Sequence, residues 1–230
     1  MIFISSMPKA GTHLLATVMQ DLFGEYPVPV RKKVPGEVID FAQFASHSLL
    51  MGHFRASSVQ QNPALQALMQ GRKILILIRD PRDVCNSMLH YLLQSSHPLH
   101  RKVQPMLLGL PYAEQIKAVA AGLAAPDRSF KVARLQAHCG GFVEVAQLLP
   151  QACVLRYESF FDGQASATLA AFLELDQDHI AGAIDNALRS GSKTKRAGIA
   201  SAWRDNFDPA LQSFFIAHHG DIIRQLGYAE

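Results

Sequence analysis

The chain has 230 residues, 49% of them apolar and 18% charged, with a formal net charge of +3. That length suits one domain spanning residues 1–230, the apolar share excludes wholesale disorder, and so small a charge lacks the basic stripe of a nucleic-acid binder. Cys85, Cys139 and Cys153 are odd in number and form no C-x-x-C, which argues against a disulfide framework or a zinc site and fits a reduced, cytoplasmic setting.

Ile2-Phe3-Ile4 reads as a short buried strand, with no basic or long apolar leader before it. It enters the stretch Ser5 to Gln20, SSMPKAGTHLLATVMQ. After Gly11, apolar residues at Leu14, Leu15, Val18, Met19, Leu22 and Phe23 have helical spacing, so the opening is strand, glycine turn, helix. Tyr26 to Pro35 carries three prolines and the basic run Arg31-Lys32-Lys33, and reads as loop. Ser48 to Phe54 predicts a second strand ending at His53, and Pro63 to Met69 a helix.

Lys73 to Ile78 is the clearest strand. Its apolar run does not alternate, which predicts burial on both faces of a parallel sheet, and it is far too short to span a bilayer. Asp80-Pro81 supplies an N-cap and a first-turn proline for the next helix. Leu92 to Leu110, with its histidines and prolines, predicts an irregular, mobile segment over a site. Helices are predicted near Tyr112 to Leu123 and Lys131 to Leu149, a strand over Ala152 to Tyr157, and helix for the remainder, broken at Arg189 to Arg196. Alternating strands and helices predict a three-layer, P-loop-like α/β fold with a central mainly parallel sheet flanked by helices. Ligands in such folds sit at the carboxyl ends of the strands, where Lys9 to Thr12, His53, Arg79 and Tyr157 all fall.

A strand-to-helix glycine turn aims backbone N–H groups and a helix N-terminus at an anion. Lys9 adds a point charge and Thr12 a hydroxyl donor. The competing reading is a plain helix cap beside a surface lysine. In Arg79-Asp80-Pro81-Arg82-Asp83-Val84-Cys85-Asn86-Ser87, Arg79 leaves the strand, and Ser87 shares a helix face with Val84, Met88 and Tyr91. That arginine fork and serine hydroxyl suit a second phosphate. The competing reading pairs Arg79 with a carboxylate and Ser87 with its own helix.

Together the two motifs resemble the PAPS-dependent sulfotransferase family, in the manner of a short, bacterial-type member. Pro8-Lys9-Ala10-Gly11-Thr12 matches its 5′-phosphosulfate loop, P-K-[SA]-G-T, and Arg79 to Ser87 its 3′-phosphate motif, R-[ND]-P-[KR]-D-x-x-x-S. Arg156-Tyr157-Glu158-Ser159-Phe160 is similar to the Y-E-[DS]-[LF] segment, whose tyrosine contacts the adenine. Arg196 to Arg204 is similar to R-K-G-x-x-G-x-W-[KR], where the arginine and first glycine, here Arg196 and Gly198, hold the 3′-phosphate. Four positions depart from the pattern: Ala197 stands for lysine, Ser201 for glycine, Leu14 for an adenine-stacking tryptophan, and His13 for a second threonine or serine.

The resemblance implies transfer of a sulfonate from 3′-phosphoadenosine 5′-phosphosulfate (PAPS) to a hydroxyl of a small-molecule or carbohydrate acceptor, without a metal. Lys9, Ala10, Gly11, Thr12 and His13 would form the phosphosulfate cradle, and Arg79, Ser87, Tyr157, Arg196 and Gly198 the rest of the nucleotide site. Lys9 would bind the bridging oxygen and the leaving phosphate. A base must take the acceptor's proton, and histidine suits neutral pH. His53 matches the family's histidine at the end of the second strand, with His13 as its competitor in the loop. Segments Tyr26 to Phe44 and Leu92 to Leu110 are expected to line the acceptor pocket. Helical packing faces are compatible with a homodimer. Two rivals remain: a P-loop small-molecule kinase, and a non-catalytic nucleotide-binding relative. A kinase needs a lysine followed by Ser or Thr, whereas Lys9 precedes Ala10.

Overall fold

Every residue of the first strand, β1 (Ile2–Ser6), is buried, as a central parallel strand requires. In the computed structural model, which describes residues 1–31, 38–190 and 200–229, β1 leads into α1 (Thr12–Phe23), the two-residue β2 (Val28–Pro29), β3 (Leu49–Gly52), α2 (Ala56–Gln60), α3 (Pro63–Met69) and β4 (Lys73–Ile78). Next come α4 (Pro81–Gln94), α5 (Pro98–Arg101), α6 (Gln104–Leu108), α7 (Tyr112–Ala121), the short strands β5 (Leu123–Ala124) and β6 (Lys131–Val132), and α8 (Leu135–Leu148). The order closes with β7 (Cys153–Arg156), α9 (Gln164–Leu173), α10 (Gln177–Arg189), α11 (Trp203–Asn206) and α12 (Pro209–Gln225).

The chain forms two compact units, each made of two stretches: Met1–Arg79 with Glu144–Ala200, and Asp80–Val143 with Ser201–Glu230. The first holds a five-stranded parallel sheet in the order β2-β3-β1-β4-β7. In β4 all five residues after Lys73 are buried, matching the unbroken apolar run. β7 lies at the edge, and its Val154 is 41% exposed. α1 packs on α10, and α10 on α9. The buried residues of α10, Ile180, Ala183, Ile184 and Ala187, fall on one face at i, i+3, i+4 and i+7.

In the second unit α4 packs against α7, α11 and α12. Asp80 caps α4 by accepting from the Arg82 backbone N–H at 2.9 Å, and Pro81 opens the first turn. The same carboxylate takes both arms of the Arg82 guanidinium, Nε at 3.0 Å and Nη2 at 2.8 Å, with Arg82 only 3% exposed. The Arg82 guanidinium also lies 3.7 Å from the Trp203 ring centroid.

The structure departs from the sequence reading over Leu92 to Leu110, which carries the short helices α5 and α6 rather than irregular chain. Pro98 and Pro105 are first-turn residues there, places where a missing N–H costs nothing. The β5–β6 pair, α2 and β2 are further elements that the sequence reading omits.

Candidate functional site

Four neighbouring strands, β3-β1-β4-β7, each deliver one group at their carboxyl ends. His53 directly follows β3, the loop from Met7 to Gly11 follows β1, Arg79 follows β4 and Tyr157 follows β7. Parallel pairing, which sets Ser5 opposite both Gly52 and Ile76, and Ile78 opposite Arg156, brings these ends level.

The loop is tied down at Met7, whose N–H donates to the Leu77 carbonyl at 2.9 Å, and it turns through a bond from the Ala10 N–H to the Met7 carbonyl at 3.0 Å. Lys9 has φ +70° and Gly11, the N-cap of α1, has φ +90°. A side-chain residue in this region carries strain that only a closely determined surrounding maintains. Gly11 is fixed twice over, because a Cβ there would also lie 2.4 Å from Cδ2 of Tyr157.

Arg79 locks the arrangement. Its Nη1 donates to the Lys9 carbonyl at 3.2 Å, and its guanidinium lies 4.1 Å from the centroid of the Tyr157 ring. That ring in turn abuts Gly11, so the loop, Arg79 and Tyr157 form a closed circuit of contacts. Tyr157 is 8% exposed and also meets Phe161 edge-on, at 5.2 Å between centroids. Burial, with the Arg79 charge adding to it, lowers the Lys9 pKa to about 8.

His53 Nδ1 lies 2.6 Å from the Ser6 carbonyl oxygen. A carbonyl only accepts, so Nδ1 carries the proton, and in the neutral ring Nε2 is left as an acceptor. Crowding around the ring lowers its pKa below the ordinary 6.5; the Ser6 bond opposes this, and the charges of His13 and Arg31 reinforce it. The residue as a whole remains exposed to solvent, and its bond to Ser6 is part-buried. His53 therefore has the tautomer and charge of a general base at neutral pH. His13 is exposed on the first turn of α1, its Nδ1 3.4 Å from the Tyr26 hydroxyl.

Thr12 places Oγ1 2.7 Å from Oγ of Ser6. Ser6 thus touches both the loop threonine and the candidate base, a connection absent from the sequence reading. A hydroxyl residue two positions before Pro8 was the one available signal. The first unit also has a recess of about 360 Å³, lined by Val28, Pro29, Ile39 and Phe44 together with the polar Arg31, Gln43 and His47.

In the second unit Ser87 lies half-buried on α4. Asp83, fully buried one turn earlier, accepts from the backbone N–H groups of Ser201 and Trp203, each at 2.9 Å. Ser201 has φ +60°, a conformation natural to the glycine that the C-terminal motif has there. Arg196, Ala197, Gly198, Lys32 and Lys33 lie outside the described residues. Among the described residues no group of three or more His, Cys, Asp or Glu side chains is placed to hold a metal ion, and no helix is long and apolar enough to cross a membrane.

The structure is similar to mouse sulfotransferase SULT7A1 complexed with PAP, with a TM-score of 0.65 and 18% identity over 99% of this chain and 88% of that one. The chain has the sulfotransferase fold. Retinol dehydratase, in complex with androsterone and the inactive cofactor PAP, matches with a TM-score of 0.63 and 14% identity, over 100% of this chain and 82% of that one. A retinol dehydratase complex with retinol and PAP matches with a TM-score of 0.59 and 15% identity, again over 100% and 82%. No protein-family model and no curated protein sequence matches the chain. The sulfotransferase fold accounts for the mainly parallel sheet flanked by helices.

Proposed function

We propose that the protein is a PAPS-dependent sulfotransferase that transfers a sulfonate to a hydroxyl of a small-molecule or carbohydrate acceptor. One observation carries the reading. A neutral histidine with Nε2 available shares Ser6 with a lysine-bearing anion loop, on the sulfotransferase fold.

A phosphosulfate donor supplies an activated sulfonate. The loop suits such a group: Lys9 and Gly11 are left-handed, and Gly11 caps α1, whose first-turn N–H groups have no partner within the helix. His53 Nε2 accepts the proton of the acceptor hydroxyl. Lys9 offsets the charge that develops on the bridging oxygen and the departing phosphate. Thr12 and the loop amides hold the 5′-phosphate, and Arg79, braced by Tyr157, faces the 3′-phosphate. The apolar walls of the recess favour an acceptor with an apolar body.

The kinase reading is weaker for a structural reason. Asp80, the carboxylate after β4, spends its oxygens on Arg82 and the α4 cap instead of standing ready for magnesium. A thermal-shift titration separates the two. 3′-Phosphoadenosine 5′-phosphate (PAP) should stabilise the wild type by about 2.7 kcal/mol at 100 times its Kd. Lys9→Ala and Arg79→Ala should lose that shift. Stabilisation by ATP with magnesium and not by PAP would replace this proposal with the kinase.

A further inference from the structure

A second hydroxyl stands behind the loop threonine, and its proton has two possible destinations. Ser6 Oγ donates to the Met7 carbonyl at 3.2 Å and is 2.7 Å from Thr12 Oγ1. Each hydroxyl has a single hydrogen. While Ser6 gives its hydrogen to Met7, Thr12 must give its own to Ser6, and an anion approaching Thr12 meets lone pairs. Thr12 becomes a donor to a phosphoryl oxygen only when Ser6 turns its hydrogen from Met7 to Thr12. The bond given up is the long one of the pair, so the turn costs little, and the new chain of two O–H donors ends on a charged acceptor.

We propose that Ser6 is a positioning residue whose hydroxyl reverses direction on anion binding and so makes Thr12 a phosphate donor. Its carbonyl meanwhile holds His53 Nδ1–H, so one residue at the end of β1 orients both the anion loop and the base. The inference rests on the proposed anion site and deepens it: Thr12 depends on a neighbour that never touches the ligand.

The test is titration calorimetry with two probes, PAP and inorganic pyrophosphate, on the wild type, Ser6→Ala, Thr12→Val, the double variant and Thr12→Ser. Ser6→Ala and Thr12→Val should each weaken binding about 10-fold. The double variant should match Thr12→Val within about twofold, because the two hydroxyls act as one unit. Thr12→Ser should bind like the wild type and stay sensitive to Ser6→Ala. The nitrogen-15 signal of His53 Nδ1–H should persist in Ser6→Ala, since the main-chain carbonyl remains, and this confirms that the strand end is intact. Wild-type affinity in Ser6→Ala, or losses that add in the double variant, would overturn the inference. A wild type that binds pyrophosphate but not PAP removes the nucleotide reading alone, and Ser6 is then judged on pyrophosphate. Binding of neither probe removes both.

Discussion

Lys9 combines a lowered pKa with a left-handed backbone, so its charge and its conformation both work against folding. The lysine pKa falls from 10.5 in the free chain to about 8. Between these values the unfolded chain binds more protons, so stability rises with pH. Below pH 8 both states are protonated, and the cost of holding the charge is felt in full. Lys9→Met should therefore raise the melting temperature at pH 7 while abolishing PAP binding, and the gap from wild type should close as pH approaches 10.5; thermal melts across pH 7 to 10.5 check this. In turnover, kcat/KM against pH should be bell-shaped. Its acid limb should lie below 6.5, where His53 takes up a proton, and its alkaline limb near 8, where free Lys9 loses one. Ser201 offers a simpler case. With φ +60°, Ser201→Gly relieves strain of about 1–2 kcal/mol against a glycine entropy cost of about 0.5–1 kcal/mol, so urea unfolding should show an unchanged or higher midpoint. Lys9, His53, Arg79 and Tyr157 were legible because each follows an apolar run that marks a strand end. Ser6 was not, since a serine in a chain does not disclose which oxygen it meets. Arg82 and Asp83 sat inside a quoted motif, but their burial against Asp80, Ser201 and Trp203 depends on residues more than a hundred positions away as well as on near ones.

Among the elements, α4 is held at its start more firmly than its sequence cap implies. Asp208 caps α12 by accepting from the Leu211 N–H at 2.7 Å, and Asp208→Ala should cost about 1 kcal/mol. Asp80→Ala removes a comparable cap but also leaves the buried Arg82 guanidinium without its carboxylate, so it should cost about 3–5 kcal/mol. Urea midpoints of the two variants measure the difference, and equal losses would deny the buried pair its role. The long elements were legible in the sequence for related reasons. Helix α3 matches its predicted span, and β4 matches its apolar run residue for residue. The two-residue strands β2, β5 and β6 are too short to show any period. α5 and α6 were hidden because their prolines read as breakers, whereas at the first turn a proline starts a helix.

On the scale of the whole molecule, sequence order and spatial order disagree. The first unit is begun by residues 1–79 and finished only after the chain has supplied residues 80–143 to the second. β4, with five consecutive buried residues, has β7 as its outer neighbour, and β7 begins at Cys153, long after Ile78. A chain stopped after residue 150 lacks that partner and should partition into the insoluble fraction when expressed, which sedimentation of the lysate will show. The same arrangement has a consequence in time. On the ribosome, β4 emerges about 75 residues before the strand that covers its free edge, which is several seconds of synthesis at about 5–20 residues per second. Throughout that interval the nascent chain displays an apolar ribbon with unpaired main-chain groups, the feature that draws other strands to it. Protection of this segment during translation, more than the final stability of the sheet, should then set how much active protein a cell recovers.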